Sequence, residues 1–175
     1  MVIWITGLSG SGKTSLSSAL FRLLKPRVPE LVLLDGDTIR AVFGGDLGYR
    51  EQDRVIQIKR LQKLAKVLSD QQLVVIVAAL YSHPELFAWN RQNFQDYFEI
   101  YLEISLDTAR RRDAKGVYAL SAPLEAANVV GVDIPWHVPS SPDLVINVDN
   151  PPPPDTLARQ VVAGIPRLAS LLVRA

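Results

Sequence analysis

Eight residues near the N-terminus carry the densest chemistry in the chain: Gly7-Leu8-Ser9-Gly10-Ser11-Gly12-Lys13-Thr14. They lie between the apolar run VIWIT (2–6) and a helical spacing of Leu16, Ala19, Leu20, Leu23 and Leu24. Glycines at these intervals let successive backbone N–H groups turn inward around an anion. The helix that follows aims the positive end of its dipole at the same place. The pattern is G-x-x-x-x-G-K-[ST], in its required strand–loop–helix setting. It predicts a nucleoside triphosphate site built by Gly7, Ser9, Gly10, Ser11, Gly12, Lys13, Thr14 and Ser15. Lys13 suits the β- and γ-phosphates, and the Thr14 hydroxyl suits Mg²⁺. The hydroxyls of Ser9 and Ser11 fit the loop, with catalysis carried elsewhere.

A second set closes the run LVLLD (31–35): Asp35-Gly36-Asp37, with Arg40 three residues on. Ligands of an open α/β sheet lie beyond the carboxyl ends of its strands, so both carboxylates are expected beside the phosphate loop. One suits Mg²⁺ through water, and another suits removal of a proton from an attacking hydroxyl. Arg40 suits an anionic acceptor. Asp37 before TIRAVF is also a good helix N-cap.

The elements that must position these groups are legible as alternation. The apolar runs VIWIT (2–6), LVLLD (31–35), LVVIVAAL (73–80), FEIYLEISL (98–106) and DLVINVD (143–149) alternate with helical segments, among them Val55, Ile58, Leu61, Leu64, Ala65 and Leu68. Runs apolar on both faces belong to a covered parallel sheet, and the alternation predicts βαβ units. The expectation is an α/β, three-layer P-loop fold with five parallel strands, as one domain over 1–175. FGGDLGYREQDR (43–54) reads as a loop before the long helix. The strand-poor segment 110–142 reads as a lid or binding segment, with the lid over about 110–130. Residues 155–173 read as a C-terminal helix, kinked or split at Gly164-Ile165-Pro166.

The chain has 175 residues, a formal net charge of +1 and no cysteine. That balance gives no strongly basic surface for nucleic acid. It also excludes disulfides, thiolate metal sites and a cysteine nucleophile. The longest apolar run is far short of the roughly 20 residues of a membrane span. Nothing at the N-terminus reads as a signal peptide. A cytoplasmic protein without membrane or nucleic-acid partners is expected. His83 and His137 read as surface or packing residues and Trp4 as core. Arg110-Arg111-Arg112 reads either as a solvated helix face or as cations for a transferring phosphoryl group.

Six segments, GLSGSGKTS, LLDGDTIR, LGYREQDR, RRDAKGVY, GVDIPW and PDLVIN, resemble the adenylylsulfate kinases in order and spacing. The resemblance spans about residues 1–150. It implies a P-loop kinase that uses Mg²⁺ with ATP and transfers the γ-phosphate to the 3′-hydroxyl of adenosine 5′-phosphosulfate, commonly as a homodimer. It also implies roles. Asp37 would be the base and a metal-side carboxylate, and Arg40 and Arg54 would grip the acceptor's 5′-anionic group. Tyr49 would stack on the acceptor base, Lys115 would belong to the lid, and Arg112 and Asp113 would lie near the ATP base.

The chain departs from the family at four places, all on the acceptor side. Gln57 stands where the family usually has Asn, and Val129 where it has a lid Phe that faces the acceptor base. YSHP (81–84) stands where the family usually has Ser-Pro followed by an aromatic and Arg, and residues 119–122 stand where it has basic lid residues. Losing one aromatic face removes about 1–3 kcal/mol of base stacking. Either the chain is a divergent adenylylsulfate kinase or its acceptor is a different nucleotide. NVVGVDIP looks like the branch acting on cytidine diphosphoramidate. Two rivals stand apart: a small-metabolite kinase of another P-loop branch, opposed by the Asp35–Arg40 and KGVY segments, and an ATP-binding regulatory module without transfer, opposed by Lys13, Thr14 and Asp37.

Overall fold

A computed structural model describes residues 1–113, 116–118 and 128–173. Strands β1 (Val2–Thr6), β2 (Leu31–Asp35), β3 (Val74–Ala78), β4 (Tyr97–Glu103) and β5 (Leu144–Asn147) form one sheet in the order β2-β3-β1-β4-β5. Every pairing is parallel. The helices are α1 (Lys13–Leu24), α2 (Gly36–Val42), α3 (Glu51–Asp70), α4 (Pro84–Asn93), α5 (Leu106–Arg111), α6 (Pro154–Gly164) and α7 (Pro166–Val173). The α/β fold with five parallel strands is therefore the one expected. β1 and β3 are buried at every residue, as strands covered on both faces must be.

The chain runs from β1 out to the edge at β2, returns to β3, then crosses β1 to reach β4. The carboxyl end of β1 is thus the switch point where an open sheet parts its connecting loops and leaves a crevice. The phosphate loop leaves from that point. Trp4, Ile3 and Ile5 are fully buried beneath it.

Two boundaries differ from expectation, each for a local reason. The run FEIYLEISL stops being strand at Glu103, because the Ser105 hydroxyl accepts from the Thr108 amide (3.3 Å) and starts α5. Helix α3 begins at Glu51 inside the expected loop, with Glu51 and Asp53 placed at the positive end of its dipole. The C-terminal segment forms two helices, α6 and α7, with Ile165 extended between them at the Gly164-Ile165-Pro166 break that the sequence marks.

Candidate active site

Two glycines explain how the phosphate loop folds. A Cβ at Gly7 would lie 2.7 Å from the Leu102 carbonyl oxygen and 2.8 Å from Ser11 Oγ, so only glycine lets the loop pass that close to β4. Gly12 has nothing near its missing Cβ, but its φ of 86° is a left-handed angle that side chains resist. From Gly12 the chain turns directly into α1. That helix has no side-chain cap and no acid in its first turn, so its dipole end suits an external anion. The Lys13 ammonium donates to the Gly7 and Leu8 carbonyls, each at 2.8 Å, which holds it over the loop.

Asp35 joins two elements. Its Oδ2 accepts from the Thr14 hydroxyl at 3.0 Å, while its Oδ1 accepts from the amides of Asp37 (3.0 Å) and Thr38 (3.2 Å). Asp35, not Asp37, is therefore the N-cap of α2, because its extended backbone lets one carboxylate oxygen reach both amides. Asp37 lies exposed in the first helical turn. A hydroxyl and a carboxylate side by side are hard oxygen donors of the kind Mg²⁺ prefers. No group of three or more His, Cys, Asp or Glu able to hold a metal occurs among the described residues. A site of one or two protein oxygens completed by nucleotide phosphates fits that donor set.

The acceptor side is built around Tyr49, which is 60% exposed. Arg40 donates to the Leu47 (3.1 Å) and Gly48 (2.7 Å) carbonyls and lies 4.9 Å from the Tyr49 ring centroid. Arg54 donates from Nε to the Tyr49 carbonyl (2.9 Å) and from Nη2 to the Asn128 carbonyl (2.8 Å), with its guanidinium 5.6 Å from the same ring. One guanidinium thus ties the Tyr49 loop to the segment that carries Val129. That segment also packs on the phosphate loop, where a Cβ at Gly131 would stand 3.1 Å from Leu8 Cδ2. Burial, and next the charge of Arg40, lower the Arg54 pKa from its ordinary value. Two neighbouring guanidiniums in such a place favour an anion between them.

Gln57 sits behind this wall, buried at 5% exposure. Its Nε2 donates to the Gly36 carbonyl at 3.0 Å, and its Oε1 accepts from Arg60 at 3.2 Å. Arg60 pairs with Asp46 and lies 4.0 Å from the Phe43 ring centroid. Both ends of the Gln57 amide thus brace the start of α2, next to Asp37.

Across the phosphate loop, Arg112 donates to the Val148 (2.6 Å) and Asp149 (2.7 Å) carbonyls, which fastens the end of α5 to the strand beside it. Its two neighbours differ: Arg111 donates to Thr108 Oγ1 at 2.7 Å, and Arg110 is exposed. Asp113 accepts from the amides of Val117 and Tyr118, and the Tyr118 hydroxyl donates to the Ser9 carbonyl. Lys115 and residues 119–122, part of the expected lid, lie outside the described residues.

Sequence patterns did not reveal Tyr81, whose hydroxyl donates to Glu51 at 2.6 Å. The two histidines also meet, with ring centroids 5.0 Å apart. His83 caps α4 through its Nδ1, which accepts from the Glu85 amide.

Comparison with known proteins gives the family. The sequence model of the adenylylsulphate kinase family matches residues 1–147. The chain belongs to the adenylylsulfate kinase family. It is 41% identical over 146 residues to the cytidine diphosphoramidate kinase of Campylobacter jejuni, covering 83% of this chain and 85% of that one. It is 40% identical over 147 residues to the adenylyl-sulfate kinase of Pseudomonas entomophila, covering 83% and 71%. The Mycobacterium tuberculosis APS kinase, solved in complex with AMPPNP and APS, matches with a TM-score of 0.78 at 33% identity, over 93% of this chain and 95% of that chain. The protein is therefore a nucleotide kinase, a phosphotransferase acting on a hydroxyl group. No described helix of this family member is long and apolar enough to cross a membrane.

Proposed function

We propose that this kinase moves the γ-phosphate of ATP to the ribose 3′-hydroxyl of a nucleotide with an anionic 5′ group, and that this nucleotide is cytidine diphosphoramidate. The Arg40–Arg54 pair around Tyr49 carries the acceptor class: two guanidiniums for the 5′ anion beside one ring for the base. The choice of base is supported by aliphatic Val129 in the segment that Arg54 ties to the Tyr49 loop, and by the 41% identity with the Campylobacter jejuni enzyme. Adenosine 5′-phosphosulfate is the second reading, favoured by Tyr49 itself and by the Pseudomonas entomophila relative at 40%.

In this mechanism the loop amides and Lys13 take up charge on the transferring phosphoryl group. Asp37 orients and deprotonates the acceptor hydroxyl. Thr14 and Asp35 would hold Mg²⁺, which when bound neutralises the β- and γ-phosphate oxygens. Arg40, Arg54 and Tyr49 fix the acceptor so that its hydroxyl meets the phosphorus in line. Arg112 fastens the side on which the ATP base would lie. Lys115 and the lid exclude water, which suppresses wasted hydrolysis. The working form is a cytoplasmic homodimer of single-domain subunits.

The test is ADP release, coupled to NADH oxidation, with each acceptor in turn. Strong stimulation by cytidine diphosphoramidate is expected. Stimulation only by adenosine 5′-phosphosulfate would transfer the assignment to the second reading.

A further inference from the structure

The Tyr81–Glu51 pair has no part in the mechanism above. Tyr81 lies just past β3 and is 2% exposed, yet its hydroxyl donates to Glu51 Oε1 at 2.6 Å. Burial, then the hydrogen bond to Glu51, raise the Tyr81 pKa and keep the hydroxyl in its donating form. Glu51 opens α3 three residues before Arg54, and Tyr81 lies near enough to Arg54 to act on its charge. Among the described residues, the other Glu51 oxygen, Oε2, has no hydrogen bond or ion pair. Glu51, Tyr81 and Asn128 line a cleft of about 720 Å³ together with Arg50 and Lys59. Asn128 is also the residue whose carbonyl Arg54 holds. The cleft therefore adjoins Arg54, one of the two arginines that would take the acceptor's 5′ anion.

A carboxylate on the wall of an anion subsite is unfavourable unless it has a donor to accept from. A terminal sulfate or phosphate presents only acceptor oxygens there and is repelled. A terminal P–NH₂ group donates to the carboxylate while its oxygens stay with the cations. We infer that Glu51, braced by Tyr81, reads the acceptor's terminal group and selects one ending in N–H over one ending in oxygen. The assignment rests on the acceptor reading given above and deepens it. Tyr81 is a positioning residue here, since its buried hydroxyl holds Glu51 in one orientation before binding.

The experiment is steady-state kinetics on the full chain, comparing wild type, Glu51→Gln and Tyr81→Phe. The acceptors are cytidine diphosphoramidate and cytidine 5′-diphosphate, which differ by nitrogen against oxygen at the terminus. Wild type should prefer the amidate by about 10- to 100-fold in kcat/KM, the worth of one hydrogen bond to a charged group. Glu51→Gln should cut that ratio about tenfold, largely by improving the diphosphate, with KM for ATP and the melting temperature unchanged. Tyr81→Phe should lower the ratio in the same direction. A merely structural role would lower kcat/KM for both acceptors together, so an unchanged ratio in Glu51→Gln overturns the assignment. A wild type active on adenosine 5′-phosphosulfate and on neither cytidine nucleotide overturns the acceptor reading, and this assignment with it. A wild type active on the amidate but indifferent to the terminal atom overturns only the role of Glu51.

Discussion

Lys13 holds two carbonyls of its own loop, those of Gly7 and Leu8, so its ammonium is in place before any nucleotide arrives. Charge stabilisation that needs no reorganisation is the effective kind. Lys13→Ala should lower kcat by about 10²–10³-fold or more. Its melting temperature should stay close to wild type, as checked by the coupled assay beside thermal unfolding; unchanged turnover would sink the phosphate-loop mechanism. Asp37 is exposed and does not cap α2, a duty that falls to Asp35. Asp37→Asn should lower kcat by about 10²–10⁴-fold, the usual range for a lost general base, and leave KM for ATP nearly unchanged. Equal losses in kcat and ATP binding would assign it a structural task instead. The phosphate-loop residues and the Asp35–Asp37 pair were legible in the sequence because each set is nearly contiguous, so its chemistry reads off adjacent letters. Gln57 was not, because its role is set by Gly36, 21 residues away, and by Arg60 behind it.

Among elements, the join between α1 and α2 matters most. The Asp35 carboxylate caps α2 and accepts from Thr14 in the first turn of α1. Asp35→Ala should remove about 1 kcal/mol of cap stabilisation. For a chain of this size that is a fall in melting temperature of about 2–4 °C. Asparagine caps about as well as aspartate. Asp35→Asn should therefore keep the melting temperature while lowering kcat, because it removes a negative charge beside Thr14. Thermal unfolding and turnover of the two variants together separate the cap from the charge; a normal kcat in Asp35→Asn would show that only the cap matters. Strand positions were legible because two-sided apolar runs have few other uses. The end of β4 was not, since Ile104, Ser105 and Leu106 continue an apolar run until the Ser105 cap turns them into a helix.

Across the whole molecule, a polar chain crosses from α3 to the sheet through the interior. Gln62 donates to Asn90 (2.8 Å), Asn90 to the Tyr97 hydroxyl (3.0 Å), and that hydroxyl to Glu99 Oε2 (2.9 Å). Arg91 stands 3.5 Å from the same carboxylate. Burial raises the Glu99 pKa from its usual value, against the lowering by Tyr97 and Arg91. The raised value means that folding disfavours the charged form. Below the ordinary glutamate range the group is protonated in both states and is neutral to stability. As pH rises through the raised folded value, the carboxylate becomes a penalty. Glu99→Gln should therefore gain stability relative to wild type at pH 8 and show a smaller difference at pH 4, as measured by urea midpoints. A gain that is the same at both pH values would assign the effect to packing.

Three properties belong to the sequence by itself: the phosphate loop, the five-run α/β alternation, and the family resemblance of the acceptor-side motifs. They depend on residue order within short windows, where backbone conformation and hydrophobic periodicity are local physics. Only the tertiary structure decided that Asp35 ties to Thr14, that Gln57 braces α2, that Arg54 bridges to Asn128, and that Tyr81 holds Glu51. These contacts join residues 21 to 74 positions apart. No one-dimensional pattern encodes such pairs, because each exists only once the sheet order β2-β3-β1-β4-β5 has brought separate loops to one edge.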